Sequence, residues 1–104
     1  MKKYNISNFK DLENFQMTSF NTEEYSVCIT KITDRFFAFN NICTHMGAPL
    51  HKGKITNEYV QCPWHGCKFN YKNGNCLNNN MKLETYEIVE ENKDLFLIID
   101  GNSS

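Results

Sequence analysis

No apolar stretch of this chain approaches the roughly 20 residues that a membrane-spanning helix requires. Its first residues, Met1-Lys2-Lys3-Tyr4-Asn5, lead into polar ones instead of the apolar core of a secretory signal. A membrane partner is therefore not expected, and the cytoplasm is the expected location. An excess of one charge is missing too: the formal net charge of -1 gives no reason to expect nucleic acid or an anionic surface as partner. There is no internal repeat, linker or heptad pattern, and no stretch keeps a helical period for three turns. Histidine is scarce, with three in the chain, and the cysteines number five. An odd count in a reducing compartment argues against a disulfide framework and leaves Cys28, Cys67 and Cys76 as thiols with no assigned chemistry.

What is present suits a small β protein. With 104 residues, 40% of them hydrophobic and including eight Phe and five Tyr, the chain can build one modest core, so residues 1–104 are expected to form a single domain. Alternating β-branched residues over Ser26–Thr33, a break at Asp34-Arg35 and the aromatic run Phe36–Asn40 predict a hairpin. In it Val27, Ile29 and Ile32 face the core and Cys28 is a small buried hydrophobe. A second hairpin is predicted around Asn57, a further strand over Lys68–Tyr71 ending at the Asn73-Gly74 turn, and a last hairpin around Glu91-Asn92-Lys93. Tyr4–Ile6 suits an edge strand and Ser7-Asn8 opens a brief helical turn. Asn14–Asn21 reads as loop with a possible strand. An all-β or mainly β fold follows.

The chemistry is concentrated in two short segments, Cys43-Thr44-His45-Met46-Gly47 and Cys62-Pro63-Trp64-His65-Gly66, separated by sixteen residues between His45 and Cys62. Each contributes one cysteine and one histidine and is closed by a glycine, and each follows a predicted strand, which gives the loops rigid supports. Thiolates and imidazoles are ligands of both zinc and iron–sulfur clusters, so ligand type leaves both open. Spacing separates them. A zinc finger of the Cys2His2 kind keeps its cysteines in one half and its histidines in the other, whereas here they alternate.

The order C-x-H followed by C-x-x-H-G resembles the Rieske family, and Gly47, Pro63, Gly66, Phe69 and Gly74 extend the match over the central third of the chain. The resemblance implies stacked antiparallel sheets, with a cluster-binding subdomain at about 43–76 formed by two loops. It also implies one 2Fe–2S cluster, with Cys43 and Cys62 on the inner iron and His45 and His65 on the outer. Mixed ligation has a physical consequence. Two ferric ions, two sulfides and two thiolates sum to zero charge, so an added electron is accepted more readily than by an all-thiolate cluster, and Rieske potentials lie at about -150 to +300 mV against about -400 mV for plant-type ferredoxins.

Departures from the respiratory members place the chain within the family. Those carry a serine and a tyrosine where this sequence has Cys67 and Phe69, and a disulfide at the positions of Ala48 and Trp64. The resemblance therefore points to a low-potential, oxygenase-type Rieske ferredoxin. The usual proline-bearing cover is missing from Asn78-Asn79-Asn80-Met81, where Met81 is the apolar candidate. An oxygenase would also need a mononuclear iron held by two histidines and a carboxylate, and beyond His45 and His65 only His51 is left, read here as a solvated side chain. The expected function is thus not an enzyme's. It is carriage of single electrons from a reductase to a terminal oxygenase or similar acceptor. A small subunit of a cytosolic nitrite reductase, a redox sensor and a zinc-bound structural module are the rival readings. Residues 43–76 hold Lys52, Lys54, Lys68 and Lys72 against Glu58, a formal +3 that leaves -4 elsewhere, so the cluster end is expected to be basic.

Overall fold

A computed structural model describes residues 2–43, 47–64, 66–77 and 80–99. Nine strands occur among them, β1 (Lys2–Asn5), β2 (Met17–Asn21), β3 (Ser26–Ile32), β4 (Arg35–Asn40), β5 (Lys54–Ile55), β6 (Val60–Gln61), β7 (Lys68–Phe69), β8 (Thr85–Glu91) and β9 (Asp94–Ile99), with single 3-10 turns at Ser7–Phe9 and Leu50–Lys52. They form two antiparallel sheets, one of six strands in the order β1-β9-β8-β4-β3-β2 and one of three in the order β5-β6-β7. The all-β expectation holds. Within Asn14–Asn21, loop with a possible strand on the sequence, the strand is present as β2, which pairs with β3 over five residues.

The large sheet curls until its two ends meet. Tyr4 on β1 and Phe20 on β2 belong to strands at opposite ends of the strand order, yet their rings stand edge to face with centroids 5.5 Å apart. Phe9, on the turn after β1, adds a second perpendicular contact to Phe20 at 6.2 Å. Aromatic rings at the closure cover strand edges that would otherwise present unpaired backbone groups.

Inside the curl lie Ile6, Val27, Ile29, Ala38, Leu95, Leu97 and Ile99, one of two buried apolar clusters. Cys28, Ile32 and Phe39 point to the opposite face of the same sheet and join Leu50, Val60, Phe69 and Leu83 in the other cluster. β3 and β4 are therefore buried on both faces. That is why Cys28 and Thr30 alternate with Val27 and Ile29 without a polar side, as happens in strands enclosed between layers. The second cluster is the floor on which the small sheet and its loops rest.

Two tight turns define the large sheet's hairpins. Ile32 pairs with Arg35 and Glu91 with Asp94, leaving Thr33-Asp34 and Asn92-Lys93 as two-residue connections. All four have positive φ (47°, 67°, 51° and 72°), the conformation that two-residue hairpin turns with the correct twist require. The first turn lies one residue earlier than the sequence suggests, because Thr33 is an unusual residue for positive φ. Asn14 supports it: its Oδ1 accepts the Asp34 backbone N–H at 2.9 Å.

Burial raises the pKa of the Cys28 thiol well above its ordinary value of 9.0. The folded chain then holds a proton that the unfolded chain releases, so this contribution to stability is intact below about pH 9 and lost as pH rises above it. The unfolding free energy of the wild type should fall relative to that of Cys28→Ala by about 1.4 kcal/mol per pH unit above that point, the slope of one proton. Denaturant titrations of both proteins at pH 8 to 10.5 (roughly the window of thiol ionisation) measure the difference. Parallel pH profiles would contradict it.

Candidate metal centre

β4 carries the chain out of the large sheet into the first loop. Asn41, buried, fixes the exit: its backbone N–H donates to the Ser26 carbonyl at 2.9 Å and its carbonyl accepts the Leu50 N–H at 2.6 Å. Its side-chain Oδ1 accepts the backbone N–H of His51 at 2.8 Å and lies 3.1 Å from His51 Nδ1. An amide oxygen can only accept, so Nδ1 carries the proton in this pair. His51 is therefore a half-buried brace, not the solvated side chain the sequence suggests. Nothing in the motif spacing marks Asn41, whose role depends on contacts across 10 and 15 residues.

Beyond Asn41, Ile42 bridges Pro49, and the Cys43 N–H donates to the Ala48 carbonyl at 2.9 Å. The Gly47 N–H returns to the Cys43 carbonyl at 2.8 Å, at a φ of +70°. The second loop is the tip of a hairpin. β6 and β7 pair Val60 with Phe69 and Gln61 with Lys68, and the Cys62 N–H donates to the Cys67 carbonyl at 2.8 Å. Gly66 has a φ of +68°, a turn conformation glycine adopts without the Cβ penalty. Each loop thus begins at a cysteine held by a closing backbone hydrogen bond. The approach from β4 and from β6 matches the expectation that both loops leave strand ends.

Cys43 and Cys62 are brought together, buried against Leu50, Val60 and Phe69. Burial raises the Cys62 pKa; the Trp64 backbone N–H opposes this, and a side-chain hydrogen bond with Cys43 adds to it. Two thiols so placed become a ready ligand pair once a cation compensates the charge of their thiolates. His45 and His65, the other expected ligands, lie outside the described residues, as do Asn78 and Asn79 of the expected cover. Met81 packs against the same core as the two cysteines. Cys67 is also buried, and its pKa is raised to about 12, first by burial and then by Cys76.

The donor chemistry fits half of a mixed-ligand cluster. Among the described residues no group of three or more Cys, His, Asp or Glu side chains converges on one point. An all-cysteine site drawn from Cys43, Cys62, Cys67 and Cys76 is therefore not formed, despite their shared core.

Trp64, which the sequence leaves open as a packing wall or part of a docking surface, is 55% exposed; Ile42 beside Cys43 is 40% exposed and Leu77 is 57% exposed. Of the four exposed large hydrophobic side chains among the described residues, these three lie in or next to the loops, and Phe15 is the other. No described helix is long and apolar enough to cross a membrane.

Fold and site together define a small β protein whose two loops present a buried thiol pair. The chain belongs to the Rieske [2Fe-2S] domain family, whose model matches residues 2–87. Mouse apoptosis-inducing factor 3 is 41% identical over 69 residues, covering 66% of this chain and 11% of the mouse protein. The chain thus spans about a tenth of that relative's length. The ferredoxin component of the alkene monooxygenase system of Xanthobacter autotrophicus is 30% identical over 83 residues, 78% of this chain and 68% of that protein. Among solved structures, the ferredoxin of carbazole 1,9a-dioxygenase from Nocardioides aromaticivorans superposes with a TM-score of 0.82 at 21% identity, covering 93% of this chain and 97% of that one. This last comparison concerns the fold alone.

Proposed function

We propose that the chain is a Rieske-type ferredoxin, an electron carrier that takes single electrons from a reductase and passes them to a terminal oxygenase or similar acceptor. Residues 1–104 act as one Rieske domain in this reading. Cys43 and Cys62 hold one iron of a 2Fe–2S cluster and His45 and His65 the other, within about 43–76. The observation that carries it is the meeting of Cys43 and Cys62, each at the start of a closed loop, in a chain of this family. When bound, such a cluster supplies reversible one-electron chemistry at about -150 to +300 mV. The protein's own residues supply the setting. Leu50, Val60 and Phe69 keep water from the thiol side, and Phe69 and Cys67 offer no strong hydroxyl donor to sulfur, which favours the lower end of that range. No substrate chemistry is assigned: the one histidine beyond the ligands, His51, is committed to Asn41. Thiols without a disulfide suit the cytoplasm.

The partner is expected to dock on the loop end. Trp64, Ile42 and Leu77 offer apolar contact there, and Lys52 and Lys54 are exposed on the rim of a groove that reaches Gln61, Cys62 and Pro63. Lys68 is less suited than its position in the sequence suggests, since its ammonium lies 4.9 Å above the Tyr59 ring. Opposite charge around an apolar contact speeds encounter and makes it salt-dependent. Lys52→Glu with Lys54→Glu should slow electron transfer to the acceptor about tenfold or more at low salt, while leaving the potential nearly unchanged. Stopped-flow reoxidation of the reduced protein by a terminal oxygenase component measures this. A rate indifferent to both substitutions and salt would sink the docking surface. Rapid transfer to a nitrite reductase instead would favour the rival partner, and a protein purified with zinc and no sulfide would remove the carrier reading.

A further inference from the structure

Cys67 and Cys76 have no place in the ligand set, yet their sulfurs lie 3.5 Å apart, and the side chains are only 7% and 8% exposed. Register brings them together. Phe69 pairs with Cys76 in an antiparallel bridge, and the Leu77 N–H donates to the Lys68 carbonyl at 2.8 Å. Cys67 and Cys76 are thus diagonal neighbours on one face of a short ladder, within side-chain reach of each other. A disulfide places its sulfurs about 2.05 Å apart, so bonding needs an approach of roughly 1.5 Å shared between two side chains.

Each of these cysteines also closes a loop. The Cys67 carbonyl accepts the Cys62 N–H at 2.8 Å, completing 62–67, and the Cys76 N–H donates to the Met81 carbonyl at 3.0 Å, completing 76–81. A covalent link between them would tie the second ligand loop to the segment that carries Met81. We propose that Cys67 and Cys76 form an oxidisable dithiol that peroxide converts to a disulfide, stapling these two loops together.

The chemistry balances in two steps. One sulfur attacks hydrogen peroxide: an S–O bond forms, the O–O bond breaks, and the thiol proton leaves with the departing oxygen as water. The second sulfur then attacks the resulting sulfenic acid, so that the S–S bond forms, the S–O bond breaks and a second water leaves. Two thiols supply two electrons and peroxide accepts them. Peroxide is small enough for nearly buried sulfurs, and a thiol reductant reverses the link, as in cytosolic disulfides that act as redox sensors. The staple's effect on the cluster, but not the disulfide itself, rests on the function proposed above.

Holoprotein is treated anaerobically with stoichiometric hydrogen peroxide, alkylated, and digested with trypsin without reduction. Cleavage after Lys68 and Lys72 puts the two cysteines on separate peptides, and fragment ions distinguish Cys67 from Cys62 on the first. The expected product is a Cys67–Cys76 cross-link, lost on reduction, and Cys67→Ala should instead stop at a sulfenic acid on Cys76 that a 1,3-dione traps. Recovery of both cysteines as thiols or sulfinic acids in the wild type, or linked to Cys43 or Cys62, overturns the proposal. The linked form should release iron to a chelator several-fold more slowly than the reduced form, and equal release overturns the staple. A cross-link in protein that holds no iron supports the dithiol while overturning the cluster reading.

Discussion

Serine at Cys43 or at Cys62 is expected to abolish cluster binding, with iron in the purified variant falling below about a tenth of the wild-type level. Each cysteine is one of two thiolates on the same iron in the proposed site, and a serine hydroxyl ionises far less readily and binds iron as a harder, shorter ligand. The neighbouring thiol cannot compensate alone. Cys67 is no substitute either, since no third donor converges with the pair among the described residues. The fold should survive at a cost, because each substitution buries a hydroxyl in the core shared with Leu50, Val60 and Phe69, a penalty of about 1–3 kcal/mol where it finds no partner. Iron analysis beside far-UV circular dichroism separates loss of cluster from loss of fold. A folded Cys62→Ser protein with wild-type iron would contradict the assignment.

Gly74→Ala should be the most destabilising single methyl addition outside the ligand loops. Gly74 sits at a φ of +82°, which costs an L-residue about 1–2 kcal/mol, and a Cβ there would lie 1.9 Å from the Leu83 carbonyl oxygen. That oxygen belongs to backbone and cannot swing away. The close approach is itself structural: the Gly74 N–H donates to Asn70 at 2.7 Å and its carbonyl accepts the Leu83 N–H at 2.7 Å. The methyl must break this junction between the turn after β7 and the segment leading to β8. A loss of about 3 kcal/mol or more is expected, lowering the melting temperature by about 12 °C or more in a domain of this size. A shift of only about 1–2 °C would show that the turn moves more freely than its packing implies.

Local sequence signals specify part of this fold, and register specifies the rest. The hairpins predicted at Asp34-Arg35, around Asn57 and around Glu91-Asn92-Lys93 are legible to within a residue because turn residues interrupt runs of alternating β-branched and aromatic side chains. Cys43 and Cys62 stand out because each opens a short segment closed by a glycine. β2 is legible only as a possible strand, since Met17-Thr18-Ser19-Phe20-Asn21 is only half-buried and is held by pairing with β3 instead of by its own pattern. The Asn41–His51 brace and the Cys67–Cys76 contact depend on register across a turn, which single-residue propensities do not encode. Counting back from Asn73-Gly74 through the Asn70–Asn75 pair was the signal that could have found the latter. Trp64 carries no local signal that separates a packing wall from a docking surface. Its neighbours in sequence are ligand-loop residues, but the side chain is turned outward, where an aromatic ring is available to a partner.

A potentiometric titration of the purified protein distinguishes a cluster held by two thiolates and two imidazoles from any other centre. A single one-electron transition is expected in the lower part of the range of about -150 to +300 mV. A transition near about -400 mV, as all-thiolate ferredoxins show, or no reducible centre at all, would contradict it.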